Sequence, residues 1–184
     1  MAVDGGDPEE PARVLWLQAG EAFADLRVPI DGAGPVEAFA GRTSWELPRL
    51  TWHHTLDWRG GFAGYDCGDV HWRGGALVER GTFHDEGGAH EYEEVWDRVD
   101  PADQYVVLAA EAAIIVQVGI HSLALRDLRA SGGTFDVRAA QWSAGEGWRD
   151  TYVFGAGGEL PPALVAMERE GWSVTESSRT PSPH

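Results

Sequence analysis

The stretch Thr51-Trp52-His53-His54-Thr55-Leu56-Asp57-Trp58 constrains the fold more than any other, because it reads as one strand with two unlike faces. Side chains alternate along a strand, so Trp52, His54, Leu56 and Trp58 fall on one face and His53, Thr55 and Asp57 on the other. The first face is core, and the second meets either solvent or a polar interior. A pattern of the same kind occurs upstream, where Trp16 and Gln18 share a face and Asp25 and Arg27 share another. Titratable groups planted among bulky apolar strands imply a lined cavity and therefore a pocketed β-protein.

Nine tryptophans, most of them in short alternating runs, favour aromatic-lined β-structure, where one end of the indole is apolar and its N–H finds a partner. The formal charge of −16 repels phosphate backbones and anionic lipid, so neither nucleic acid nor a membrane is an expected partner. Every basic side chain is Arg; without Lys the chain has no Schiff-base chemistry and no phosphate-gripping P-loop lysine. Asn is absent, which removes N-glycosylation acceptors. Cys67 stands alone, so neither an intrachain disulfide nor a cysteine-based zinc site forms. The first thirteen residues lack a basic region followed by an apolar core, and no apolar run reaches membrane-spanning length, so a cytoplasmic location is expected.

Residues 1–12 are acidic and Pro-containing and read as a disordered tail, 13–176 as one domain, and 177–184 as a loose tail. A hairpin is expected from Val14–Ala19 and Ala22–Val28, a helical turn at Val36–Gly41, and a strand over Leu50–Trp58. Further strands follow at 65–72, 76–83, 89–99, 105–110, 114–118, 122–128, 134–142 and 148–154, with 109–113 also compatible with helix. Asp85-Glu86-Gly87-Gly88 is a hairpin tip that brings Glu79 close to Glu94 or Trp96, depending on register. A short helix is expected over Ala163–Glu170, ended by Gly171. About ten strands at short spacing with one short C-terminal helix make an all-β fold, an antiparallel β-barrel.

In order along the chain, Trp16-Leu17-Gln18, Ala24-Asp25-Leu26-Arg27-Val28-Pro29, Phe39-Ala40-Gly41, Trp52-His53, Asp57-Trp58, Val78-Glu79, Tyr92 and Glu94-Val95-Trp96 resemble the lipocalin-like proteins of the yeast Hri type and their bacterial relatives. The resemblance spans roughly residues 13–155 and implies a calycin-like barrel with an internal cavity. It brings no reaction with it. The chain departs from the pattern at His54, where a basic or polar residue of another kind is usual.

Asp25, Arg27, His53 and Asp57 form either a structural ion network at one barrel end or a catalytic group. In the catalytic reading His53 is the acid–base, Asp25 orients it, and Arg27 stabilises developing negative charge. Asp57 lies about 13 Å from His53 along an ideal strand and is assigned to ligand binding with Trp16, Gln18, Trp52, Trp58, Glu79, Tyr92 and Glu94. If Glu79 and Glu94 face each other inside, one carboxyl is raised and holds a proton. His71, His84 and His90 lack metal-ligand spacing, so neither metal nor cofactor is expected. The resulting expectation is a barrel binding a small apolar or aromatic molecule, either as carrier or as a cofactor-independent isomerase, cyclase or lyase of secondary metabolism. A structural or regulatory protein using its acidic hairpin is the alternative, and no oligomeric state follows from these residues.

Overall fold

Alternating strands joined by two-residue reversals build most of the molecule, and glycine makes the tightest of them possible. Gly74 and Gly75 sit at φ 61° and 94°, a left-handed region open to glycine without steric cost. The computed structural model describes residues 2–3, 11–62, 64, 66–85, 87–98, 104–156, 160–161 and 173–177. Their strands are β1 Ala2–Val3, β2 Ala12–Ala19, β3 Ala22–Pro29, β4 Glu37–Glu46, β5 Arg49–Asp57, β6 Asp66–Arg73, β7 Ala76–Asp85 and β8 Gly88–Trp96, then β9 Tyr105–Ala110, β10 Ala113–Val118, β11 His121–Asp127, β12 Phe135–Ser143, β13 Gly147–Phe154 and β14 Ser173–Ser177. The one helical element among them is a 3-10 turn at Arg129–Ser131.

All ladders are antiparallel and form two sheets, an eight-stranded one in the order β1-β8-β7-β6-β5-β4-β3-β2 and a six-stranded one in the order β13-β12-β11-β10-β9-β14. The all-β antiparallel class agrees with the sequence; the division differs from a single barrel of about ten strands. The run of hairpins stops after Trp96 and restarts at Tyr105, and the strands beyond that break pair among themselves.

One face of the first sheet supplies Leu17, Ala24, Leu26, Ala40 and Leu56 to a core shared with Val107, Val116, Leu123, Leu125 and Val137 of the second. Burying each Leu or Val there contributes about 1.5–3 kcal/mol, which holds the sheets face to face. The opposite face curls on itself. It encloses Phe23, Phe39, Leu50, Trp52, Val70 and Leu77, with Trp16 and Trp96 packed against them.

Of Val36–Gly41, read as a helical turn, Glu37 onward forms the start of β4 instead, because Ala38 and Ala40 fill the inter-sheet core while Phe39 fills the curled interior. The 109–113 segment is the end of β9, a two-residue turn with Ala112 at φ 54°, and the start of β10. Ala2 and Val3, within the expected tail, pair with Glu93 and Tyr92, and Ala12 opens β2. The helix expected over Ala163–Glu170 lies outside the described residues, as do residues 4–10 and 178–184. Among the described residues no helix is long and apolar enough to cross a membrane.

Candidate functional site

An irregularity in β5 sets the site. The register runs Ala40 opposite Leu56 and then Gly41 opposite His54, so Thr55 is an extra residue, a β-bulge. Gly41 is required there: a Cβ on it would lie 1.9 Å from the carbonyl oxygen of His53 and 2.9 Å from the amide nitrogen of Thr55. The bulge inverts the alternation. Trp52, His54 and Asp57 therefore share the curled interior, while Leu56 and Trp58 turn to the inter-sheet core.

His54 lies between Phe39 and Phe62, with ring centroids 4.5 and 4.7 Å away. Its Nδ1 meets Asp57 Oδ2 at 2.7 Å and its Nε2 meets Asp66 Oδ2 at 2.9 Å, with the imidazole side chain 5% exposed. Burial opposes charge on the ring, but the hydrogen bonds to Asp66 and Asp57 outweigh it and raise its pKa above the ordinary histidine value. Held between two carboxylates, His54 is a buried cation with no nitrogen left for a substrate.

From β3, Arg27 Nε donates to Asp25 Oδ1 at 3.1 Å, and Arg27 Nη1 lies 3.7 Å from Glu94 Oε1 of β8. The guanidinium stands over the Phe39 and Trp96 rings at 5.5 and 5.8 Å. Burial pushes Asp25 up to about 6, with Arg27 pulling the other way. Glu79 of β7 accepts from Tyr92 Oη at 2.6 Å and from Trp96 Nε1 at 3.1 Å. Burial raises it to about 7 against those hydrogen bonds, and Glu94, directly across the ladder, adds to the rise. The Tyr92 hydroxyl is pushed well above its ordinary value, first by burial and then by Glu79.

Two glycines make room for this pair. A Cβ on Gly68 would come within 2.6 Å of the Glu79 side chain, and one on Gly81 within 2.5 Å of the Tyr92 ring that lies across it. Trp16, Trp52 and Trp96 then close the interior edge to face, at 5.9 and 5.2 Å.

The space these groups leave, bounded by Trp16, Asp25, Arg27, Trp52, Asp66 and Glu79, is about 10 Å³. That suits one water, not an organic ligand. Trp16 Nε1 is buried beside it without an acceptor among the described residues. Outside it lies an open cleft of about 670 Å³ between the ends of β2, β3 and β8, bordered by Arg13, Arg27, Glu37, Glu94, Trp96 and Asp97.

The sequence reading left open whether Asp25 with Arg27, and Glu79 with Glu94, face inward; in the structure Asp25, Arg27, Glu79, Tyr92 and Glu94 come together on the curled interior face. Trp16 and Trp52 line it, whereas Gln18 is not among its lining residues and donates to Gly20 O at 2.7 Å and Thr43 Oγ1 at 2.9 Å. His53 does not join them: it is exposed on the opposite face and shares a hydrogen bond of 2.8 Å with Ser44 Oγ. Asp57 is inside, but as partner of His54; Trp58 packs in the inter-sheet core beneath Arg59. Asp66 escaped the sequence reading, since an acid at the start of a strand carries no periodic signal. In the hairpin His90 stacks on Phe83 at 5.2 Å, and among the described residues no cluster of three His, Cys, Asp or Glu is arranged to hold a metal.

The family model described as Protein HRI1 matches residues 1–182, so the chain belongs to that family. The crystal structure of the uncharacterized protein YLR301w from Saccharomyces cerevisiae superposes with a TM-score of 0.73 at 15% identity, covering 95% of each chain, a likeness of fold. No curated protein matches the sequence.

Proposed function

We propose that this member of the Protein HRI1 family binds a small aromatic molecule at the open end of its curled sheet, as a binding protein of lipocalin-like character. The observation that carries the reading is the cleft of about 670 Å³, which reaches the Arg27–Glu94 pair and Trp96. Its volume lies in the range of small-molecule sites, and it joins the Trp96 indole and the apolar Val14, Pro29 and Pro35 to a few polar groups. The ligand sits at the mouth; the interior behind it, with about 10 Å³ free, is the rigid floor that holds Arg27 and Trp96 in place. Glu79, raised to about 7, and Asp25, raised to about 6, titrate near neutrality but lie beneath that floor, which favours binding over turnover by an acid–base isomerase or lyase.

The test is a screen of small aromatic compounds by tryptophan fluorescence, followed by indole N–H NMR of the hits. Saturable quenching is expected, with the Trp96 and Trp16 signals moving most. Trp96→Leu should weaken a hit by roughly three- to tenfold through lost ring contact. Saturable binding that moves only Trp142 and Trp148 would place the site elsewhere and sink the reading.

A further inference from the structure

The carboxylates around Arg27 are each engaged in a way that leaves part of this guanidinium open. Asp66 is held by His54, Glu79 by Tyr92 and Trp96, and Asp25 takes only the Nε of Arg27. Glu94, at 3.7 Å from Nη1, is beyond direct hydrogen-bond distance. The terminal Nη pair of Arg27 therefore keeps its donors while the residue borders the cleft, with the side chain 30% exposed. At the rim stands Arg13, exposed and without an ion pair among the described residues, whereas Glu37 on the same rim is occupied by Arg59 at 3.1 Å.

A planar guanidinium anchored at Nε and open at its fork matches a carboxylate geometrically, and the Trp96 ring beside it matches an aromatic body. Building on the proposed cleft reading, we infer that the ligand is an aromatic carboxylate, received by the Nη fork of Arg27 with Arg13 at the entrance. Asp97 and Glu94 border the same cleft, and the net charge of −16 gives an anion no long-range attraction. Selection therefore rests on contact with the fork.

Asp25 competes for the guanidinium when ionised. Arg27, Glu94 and Asp66 bear on Asp25 from β3, β8 and β6, and Glu79 of β7, across the same small space and raised to about 7, titrates in the same interval. Burial raises Asp25 itself to about 6. Above that pH Asp25 claims the positive charge; below it the neutral acid releases it. Binding of the anion is thus accompanied by proton uptake and weakens as pH rises.

The experiment compares four probes of one shape on the full chain by fluorescence titration: 1-naphthoate, 1-naphthamide, naphthalene and 1-naphthylmethylammonium. Naphthoate should bind about tenfold or more tightly than the amide, the usual advantage of a charge-assisted hydrogen bond. It should bind several-fold more tightly at about pH 5.5 than at about pH 8, since Asp25 changes state between them. Asp25→Asn should flatten that pH dependence, and Arg13→Gln should weaken naphthoate without affecting the amide. The wild-type comparison requires no variant to fold. If the amide or the ammonium binds as well as naphthoate, the carboxylate inference is overturned and the cleft reading survives; if no probe binds saturably, both fall.

Discussion

At the scale of single residues, two adjacent histidines have opposite fates. His54 is enclosed and tied at both nitrogens, and its removal leaves Asp57 and Asp66 without their shared cation in a part-buried setting. Breaking such an arrangement by deleting one partner costs about 3–5 kcal/mol. His54→Ala should lower the urea unfolding free energy by an amount of that order, whereas His53→Ala, on an exposed surface, should change it by less than about 0.5 kcal/mol. Equal effects of the two substitutions would mean that the faces of β5 are misassigned. The inward side of His54 was legible from its alternation with Trp52, but its partners were not. Asp57 has the wrong parity in an ideal strand, and Asp66 comes from a neighbouring element that no spacing in the sequence connects to it.

At the scale of elements, the β5 bulge converts a simple alternation into a site, and its counterpart is the absence of a side chain at Gly41. A methyl group placed 1.9 Å from a backbone oxygen has no flexible atom to push aside. Gly41→Ala should therefore destabilise the fold by about 3 kcal/mol or more, read from the urea midpoint, the cost of strain at a specially shaped backbone. A variant as stable as wild type would show that β5 pairs regularly with β4. The existence of β2, β3 and β5 to β8 was legible from period-two patterning and Gly-rich reversals. The start of β4 was not, because Ala38 and Ala40 favour helix when considered alone and become strand only through the core they fill. How the strands divide between two sheets was equally hidden, since alternation marks which residues face inward and not where a ladder ends.

For the whole molecule, the buried acids and His54 dictate how stability responds to pH. Glu79 rises from 4.5 to about 7 on folding and Asp25 from 3.8 to about 6, so the folded chain binds more protons than the unfolded one across that interval. Their contribution is complete below about pH 4 and is lost as pH rises toward neutrality; for Glu79 it amounts to roughly 3 kcal/mol. His54, also raised, loses its contribution as pH climbs through its folded value. Asp127, Asp136 and Glu93 are lowered by Arg partners or hydrogen bonds, and their contribution disappears in acid. Stability should thus peak near about pH 5, with the melting temperature falling both toward about pH 8 and below about pH 3. Glu79→Gln should flatten the alkaline limb, and a melting temperature that rises from about pH 5.5 to 8 would contradict the assignment. The order of strands has a separate consequence, for time rather than energy. From β2 to β8, and again from β9 to β13, every ladder joins neighbours in the chain, so each sheet grows by closing short loops, a low-entropy route to a β-protein. Two ladders need distant segments, β1 on β8 and β14 on β9, and these bring the ends of the described chain onto sheets whose hairpins can already be assembled.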